Sequence, residues 1–243
     1  MSATVMDPRR LWMISGLLPP RQLLCEGVDL SPGEASALAA RGLLHPLMPG
    51  LWSPRCPDPP LRAWAAGLHL RPGTREQAVI CGLSAAWVHG AAAAPRTLEI
   101  AAARGARRLQ PLELLHVQRR YLGHTRYEDQ RIGPVRVSTP LRTAVDLARG
   151  PQTPAARSAL ATLMLHPRLR VSPEAIAVAL RAQPRLSARG RALAALREVA
   201  GALPPRDADG SDADGPEAAP EFTGRGSPVR DHWSGAGREP VIR

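Results

Sequence analysis

At 243 residues and about 100–200 residues per domain, the chain has room for one or two compact units. Hydrophobic residues make up 44% of it but only eight residues are aromatic, so any core is built from Leu, Ala and Val rather than rings. No apolar run reaches the about 18–20 residues that a bilayer span requires, which excludes a transmembrane segment, and the 32 basic residues against 21 acidic ones leave a net charge of +11.

Every basic residue counted in that balance is Arg; the chain contains no Lys. Guanidinium groups suit phosphates and base edges, so the charge points to a nucleic-acid partner; a solvated surface in an Ala-, Pro-, Gly- and Arg-rich composition is the alternative. The charged N-terminal text and the short apolar stretch 11–20 do not form a signal peptide, and a cytoplasmic chain is expected. Three cysteines without a CxxC and seven histidines without an HxxxH offer neither a disulfide framework nor a zinc site, and no metal or cofactor is expected.

In chain order, residues 11–16 form a short apolar turn, and 19–27 reads as a helix with Pro in its first turn. Ser31-Pro32-Gly33-Glu34 is a capping box with Pro at the first helical position, opening a helix that Gly42 ends. Two apolar runs in 43–54 flank Met48-Pro49-Gly50, the pattern of a hairpin with a Pro-Gly turn. Helix, helix, tight turn, helix and hairpin is the order of a winged helix-turn-helix, expected over residues 8–54. The helix 31–42 would enter a major groove of double-stranded DNA. Arg21, Ser31, Arg41, Arg55 and Arg62 are the candidate DNA-binding residues; a packing or dimerisation module of the same shape is the alternative.

A Pro-rich stretch leads to an α+β domain expected over 61–203. Residues 61–70 read as a helix, and a second capping box at Thr74–Gln77 predicts a long helix through 91. Strands are expected at 97–103, 112–122 and 133–139, with 123–130 as a connection. Helices follow at 141–150, 155–165, 172–183 and 187–203. Arg104, Arg107, Arg108, Arg119, Arg120, Arg126, Arg131 and Arg136 cluster around the strands, where they extend a phosphate-binding surface, meet an acidic partner or simply face solvent. From 204 to 243 the text is rich in Pro, Gly, Ser and Asp without apolar periodicity and reads as a disordered tail. It carries a net −3, leaving the preceding body at +14.

Two stretches are distinctive: Leu83-Ser84-Ala85-Ala86-Trp87-Val88-His89-Gly90, and Ser138-Thr139-Pro140-Leu141-Arg142-Thr143-Ala144-Val145-Asp146. With an SAAxxxG helix and a later TxxRTxxD helix start in this order, residues 8–200 resemble the antitoxins of AbiE-type (type IV) toxin–antitoxin systems and their transcriptional-regulator relatives. The resemblance implies DNA binding through a winged helix, usually autorepression, and neutralisation of a nucleotidyltransferase-like toxin as the other role. A protein-interaction module that neutralises such a toxin without significant DNA binding is the alternative function. Longer relatives continue into a nuclease-like domain with a catalytic Lys, which this Lys-free sequence lacks.

Ser84, Ala85, His89, Gly90, Thr139, Arg142, Thr143 and Asp146 are read as a structural set. Small residues let a strand approach a helix, Ser138 or Thr139 caps the helix that follows, and Arg142 and Asp146 pair at i and i+4. His89 reads as a partly buried, hydrogen-bonded residue. Nucleophile-elbow, phosphate-loop, dinucleotide and zinc-protease motifs are missing from the sequence, and no catalytic residue is assigned.

Overall fold

A computed structural model describes residues 15–18, 20–102, 116–120, 128–169, 171–183 and 189–204, the side chains of 116–120 excepted. The expected tail, 204–243, lies outside the described residues apart from Pro204, as do Arg104, Arg107, Arg108 and Arg126. The chain is mixed α+β, and among the described residues no helix is long and apolar enough to cross a membrane.

The first elements are β1 (Leu24–Cys25), α1 (Pro32–Ala40), β2 (His45–Met48) and β3 (Leu51–Ser53), with the strands in the order β1-β3-β2. The hairpin falls where the Pro-Gly turn predicts it. The capping box forms: Ser31 Oγ accepts from Glu34 N at 3.3 Å and Glu34 Oε2 from Ser31 N at 2.8 Å.

The stretch 19–27, read as a helix, is instead a turn followed by β1. Leu24 and Cys25 pair with Trp52 and Leu51, residues far downstream that a local reading cannot supply. Asp29 Oδ2 accepts from Cys25 N at 2.8 Å, and Cys25 is fully buried. Burial and pairing thus outweigh the local helix preference. Among the described residues one helix, not two in succession, precedes the hairpin.

The chain continues through α2 (Pro59–Leu68), α3 (Pro72–Gln77), β4 (Ala78–Ile80), α4 (Gly82–Val88) and β5 (Thr97–Ala102). The long helix expected from the second capping box therefore divides in two around a strand. Thr74 lies inside α3, whose N-cap is Arg71, and Ala78, Val79 and Ile80 are buried at the centre of a sheet. Three consecutive apolar residues fit a strand covered on both faces and fit a helical stripe equally well.

Next come β6 (His116–Arg120), β7 (Asp129–Ile132), β8 (Val135–Ser138), α5 (Pro140–Arg149), α6 (Pro154–Leu165), α7 (Pro173–Ala182) and α8 (Arg189–Gly201). The five strands run β6-β5-β4-β8-β7: β4 is antiparallel to β5 and parallel to β8, β5 is parallel to β6, and β7 is antiparallel to β8. β7 occupies text read as a connection running into its first residues. Its charged sequence, Asp-Gln-Arg-Ile, gives no alternating apolar signal, but Arg136 holds Asp129 across the ladder through a bidentate pair at 2.7 and 2.8 Å.

One apolar cluster joins Leu23, just before β1, and Cys25, Leu47 and Leu51 of the small sheet to Leu61 and Leu68 of α2 and to Ile80, Leu98 and Val137 of the large sheet. The hairpin module and the large sheet therefore share a core. A second cluster centres on α5 to α8, with Val145, Leu160, Leu163, Ile176, Leu180 and Leu196. Helix α2 packs against β8 at Gly67, where a Cβ would lie 3.1 Å from both Pro134 and Val135.

Candidate nucleic-acid interface

The topology of the small sheet sorts its charges. β1 and β2 are both antiparallel to β3, with Leu24 opposite Trp52 and His45 opposite Ser53. The starts of β1 and β2 therefore lie at the same end as the finish of β3. Arg21 precedes β1, Arg41 precedes β2 and Arg55 follows β3, so the three arginines converge at that end. All three are exposed, and among the described residues none of their guanidinium groups meets a carboxylate. Ser53 Oγ donates to Arg55 O at 2.8 Å and accepts from Arg55 N at 3.2 Å, which fixes the backbone where the arginine leaves the strand. Arg41 is the C-cap of α1, where a cation is also favoured by the helix dipole.

Ser31 is at the opposite end. Leu30 bridges Glu26, just past β1, so α1 starts beside the hairpin turn and runs back toward Arg41. Acids gather around that start: Glu26 accepts from Trp52 Nε1 at 3.1 Å, Asp29 caps Cys25 N, and Glu34 is held below the usual carboxylate range by the Ser31 backbone and side-chain hydrogen bonds. Ser31 is thus grouped with carboxylates and not with the arginines. Of α1, only Ala35 is buried, so most of the helix surface is open.

Arg62 has a different environment. It is half-buried and its Nη1 donates to the Trp87 carbonyl at 3.1 Å, at the C-terminal end of α4. Burial lowers its pKa, partly offset by the nearby Asp58 carboxylate. The guanidinium caps a helix inside the fold and is not grouped with Arg21, Arg41 and Arg55.

The two motif stretches meet around the joint between the sheet and α4 and α5. Ser84 Oγ accepts from Glu99 N at 2.9 Å and contacts the Thr97 carbonyl at 3.4 Å, tying α4 to β5. Glu99 reciprocates, its Oε2 accepting from Leu83 N at 2.7 Å in the first turn of α4. Ala85 is fully buried.

At the other end of α4, His89 is buried and its Nε2–H donates to the Ser138 carbonyl at 2.7 Å; Thr143 Oγ1 donates to the same oxygen at 3.3 Å. Burial lowers the His89 pKa and the Ser138 hydrogen bond partly opposes it, so the ring is neutral near pH 7. Gly90, with φ +86°, turns the chain away from α4.

Thr139 caps α5 through Arg142 N at 3.3 Å. Arg142 Nε donates to Asp146 Oδ1 at 2.9 Å and its Nη1 lies 2.7 Å from Glu128 Oε2. The guanidinium is nearly fully buried between two carboxylates, one on its own helix and one just before β7, so it locks α5 to the edge of the sheet. Ser138, expected as the alternative cap to Thr139, instead supplies its carbonyl to His89 and Thr143, and Glu99 and Glu128, which the sequence does not single out, complete this network. A single acid in the apolar run Thr97-Leu-Glu-Ile-Ala-Ala was the one available signal for Glu99. No family model, no curated protein and no solved structure matches the chain.

Proposed function

We propose that this protein binds double-stranded DNA as a transcriptional regulator resembling the type IV antitoxins, and that it grips the duplex with the cationic end of its small sheet. The observation that carries the reading is the convergence of Arg21, Arg41 and Arg55, exposed and without carboxylate partners among the described residues, at one end of a β1-β3-β2 sheet. Three guanidinium groups there suit backbone phosphates, and the open surface of α1 leads away from them toward a groove. The acids around Ser31 make the start of α1 the less favourable end for phosphate, so the C-terminal turn with Arg41 faces the duplex. This inverts the usual helix-turn-helix approach, in which the N-terminal residues of the recognition helix read bases. The buried network around Arg142 holds the scaffold and contributes no contact.

Fluorescence anisotropy on duplexes from upstream of the gene, across a salt series, tests the reading. Arg41→Ala and Arg55→Gln lower affinity and each flattens the log–log salt slope by about 1, whereas Glu34→Gln leaves affinity unchanged or raises it. Unchanged binding in Arg21→Gln, Arg41→Ala and Arg55→Gln combined would refute it.

A further inference from the structure

The C-terminal end of α5 and the first turn of α8 enclose a cleft of about 330 Å³ lined by Ala148, Arg149, Gly150, Pro151, Gln152 and Arg191. Among the described residues, two of the six that line it are arginines and none is acidic. Both arginines line the cleft, Arg149 half-buried and Arg191 exposed.

The end of a helix ordinarily presents carbonyl oxygens that repel an anion. Here Gln152 Nε2 is directed at the carbonyls of Leu147, Ala148 and Gly150, at 3.1, 3.1 and 3.0 Å, and blunts that negative end. From the other side, Arg191 stands in the first turn of α8, where backbone N–H groups lack intrahelical acceptors.

From these contacts we infer that the cleft between α5 and α8 is a phosphate-binding site, with Arg149 and Arg191 as its ligands for a phosphoryl group. Guanidinium forks match phosphate oxygens in pairs, and the volume admits a phosphate together with part of the molecule that bears it. The phosphoryl group belongs either to a small phosphorylated ligand or to the backbone of the duplex. The site itself does not depend on the arginines of the small sheet.

The experiment uses the full chain, its Arg191→Gln variant and the Arg149→Gln/Arg191→Gln double variant. Inorganic phosphate is titrated against chloride at constant ionic strength while Tm is followed, and duplex affinity is measured in parallel. Arg191→Gln is an exposed change that leaves the fold intact even if Arg149→Gln does not. Phosphate raises the Tm of the wild type, and the rise is lost in both variants. If the source is a small ligand, duplex affinity stays unchanged in the variants. If it is the duplex, affinity falls and the salt slope flattens by about 1 per arginine removed. A wild type that binds no duplex yet is stabilised by phosphate would remove the regulator reading and leave this site standing. No phosphate-dependent rise in the wild type, together with unchanged duplex affinity in Arg191→Gln, would overturn the site while leaving the regulator reading to its own test.

Discussion

The guanidinium of Arg62 lies 2.9 Å from the point where a Cβ at Gly90 would stand, in the pocket that also brings it to the Trp87 carbonyl. Gly90→Ala therefore meets two obstacles: a backbone at φ +86° that L-residues avoid, and an arginine that must leave its hydrogen bond to make room. The left-handed conformation alone costs about 1–2 kcal/mol and the lost hydrogen bond about 1 more. Urea denaturation of Gly90→Ala should show a loss of about 2–3 kcal/mol. Gly33→Ala, in open space on α1, should be neutral or gain up to about 1 kcal/mol.

Arg142 is the second point of leverage. Removing it leaves the Asp146 and Glu128 carboxylates without the guanidinium that bridges them. Breaking a buried pair from one side costs about 3–5 kcal/mol, so Arg142→Met should fall in that range by denaturant titration. Arg142→Met with Asp146→Leu should recover part of the loss, and a double-mutant cycle with strictly additive costs would contradict the pairing.

Acid should destabilise the fold through His69. The ring is buried at the C-cap of α2, and among the described residues neither nitrogen has a hydrogen-bond partner. Burial pushes its pKa from 6.5 down to about 4. The unfolded chain takes up its proton near pH 6.5 while the native state resists until about 4, so stability is full above pH 6.5 and falls as pH drops toward 4. The loss attributable to this ring is on the order of 3 kcal/mol. His69→Leu should flatten the stability curve between those limits; an unaltered curve would contradict the assignment. His89, also lowered by burial, adds to the same acid slope in the parent chain.

Ser31→Ala tests the capping box alone. It removes the acceptor for Glu34 N and should cost about 1 kcal/mol. DNA affinity should hold, because Ser31 lies at the end of the module away from Arg21, Arg41 and Arg55.

Local signals in the sequence carried through where their causes are local. The capping box at Ser31, the Pro49-Gly50 turn, the Thr139 cap and the Arg142–Asp146 pair depend on residues within five positions of one another. Where a distant partner decides, the local text points elsewhere. β1 exists because Trp52 and Leu51 pair with Leu24 and Cys25, and β4 because β5 and β8 flank it. β7 is charged text that only its pairing with β8 reveals as a strand. The same division holds for the candidate interface. Arg21, Arg41 and Arg55 stand out as cations in sequence, but their convergence follows from the strand order, as does the separation of Ser31 from them. Arg62 is a further cation in the sequence, and only the structure shows its guanidinium on the Trp87 carbonyl at the end of α4.

Duplex binding by the cationic end of the small sheet is tested most directly by one titration. Fluorescence anisotropy of the full chain on upstream duplex, from low to physiological salt, should show binding whose log–log slope is clearly negative and flattens by about 3 when Arg21, Arg41 and Arg55 are all replaced. No binding even at the lowest salt, or a slope that the triple replacement leaves untouched, would contradict it.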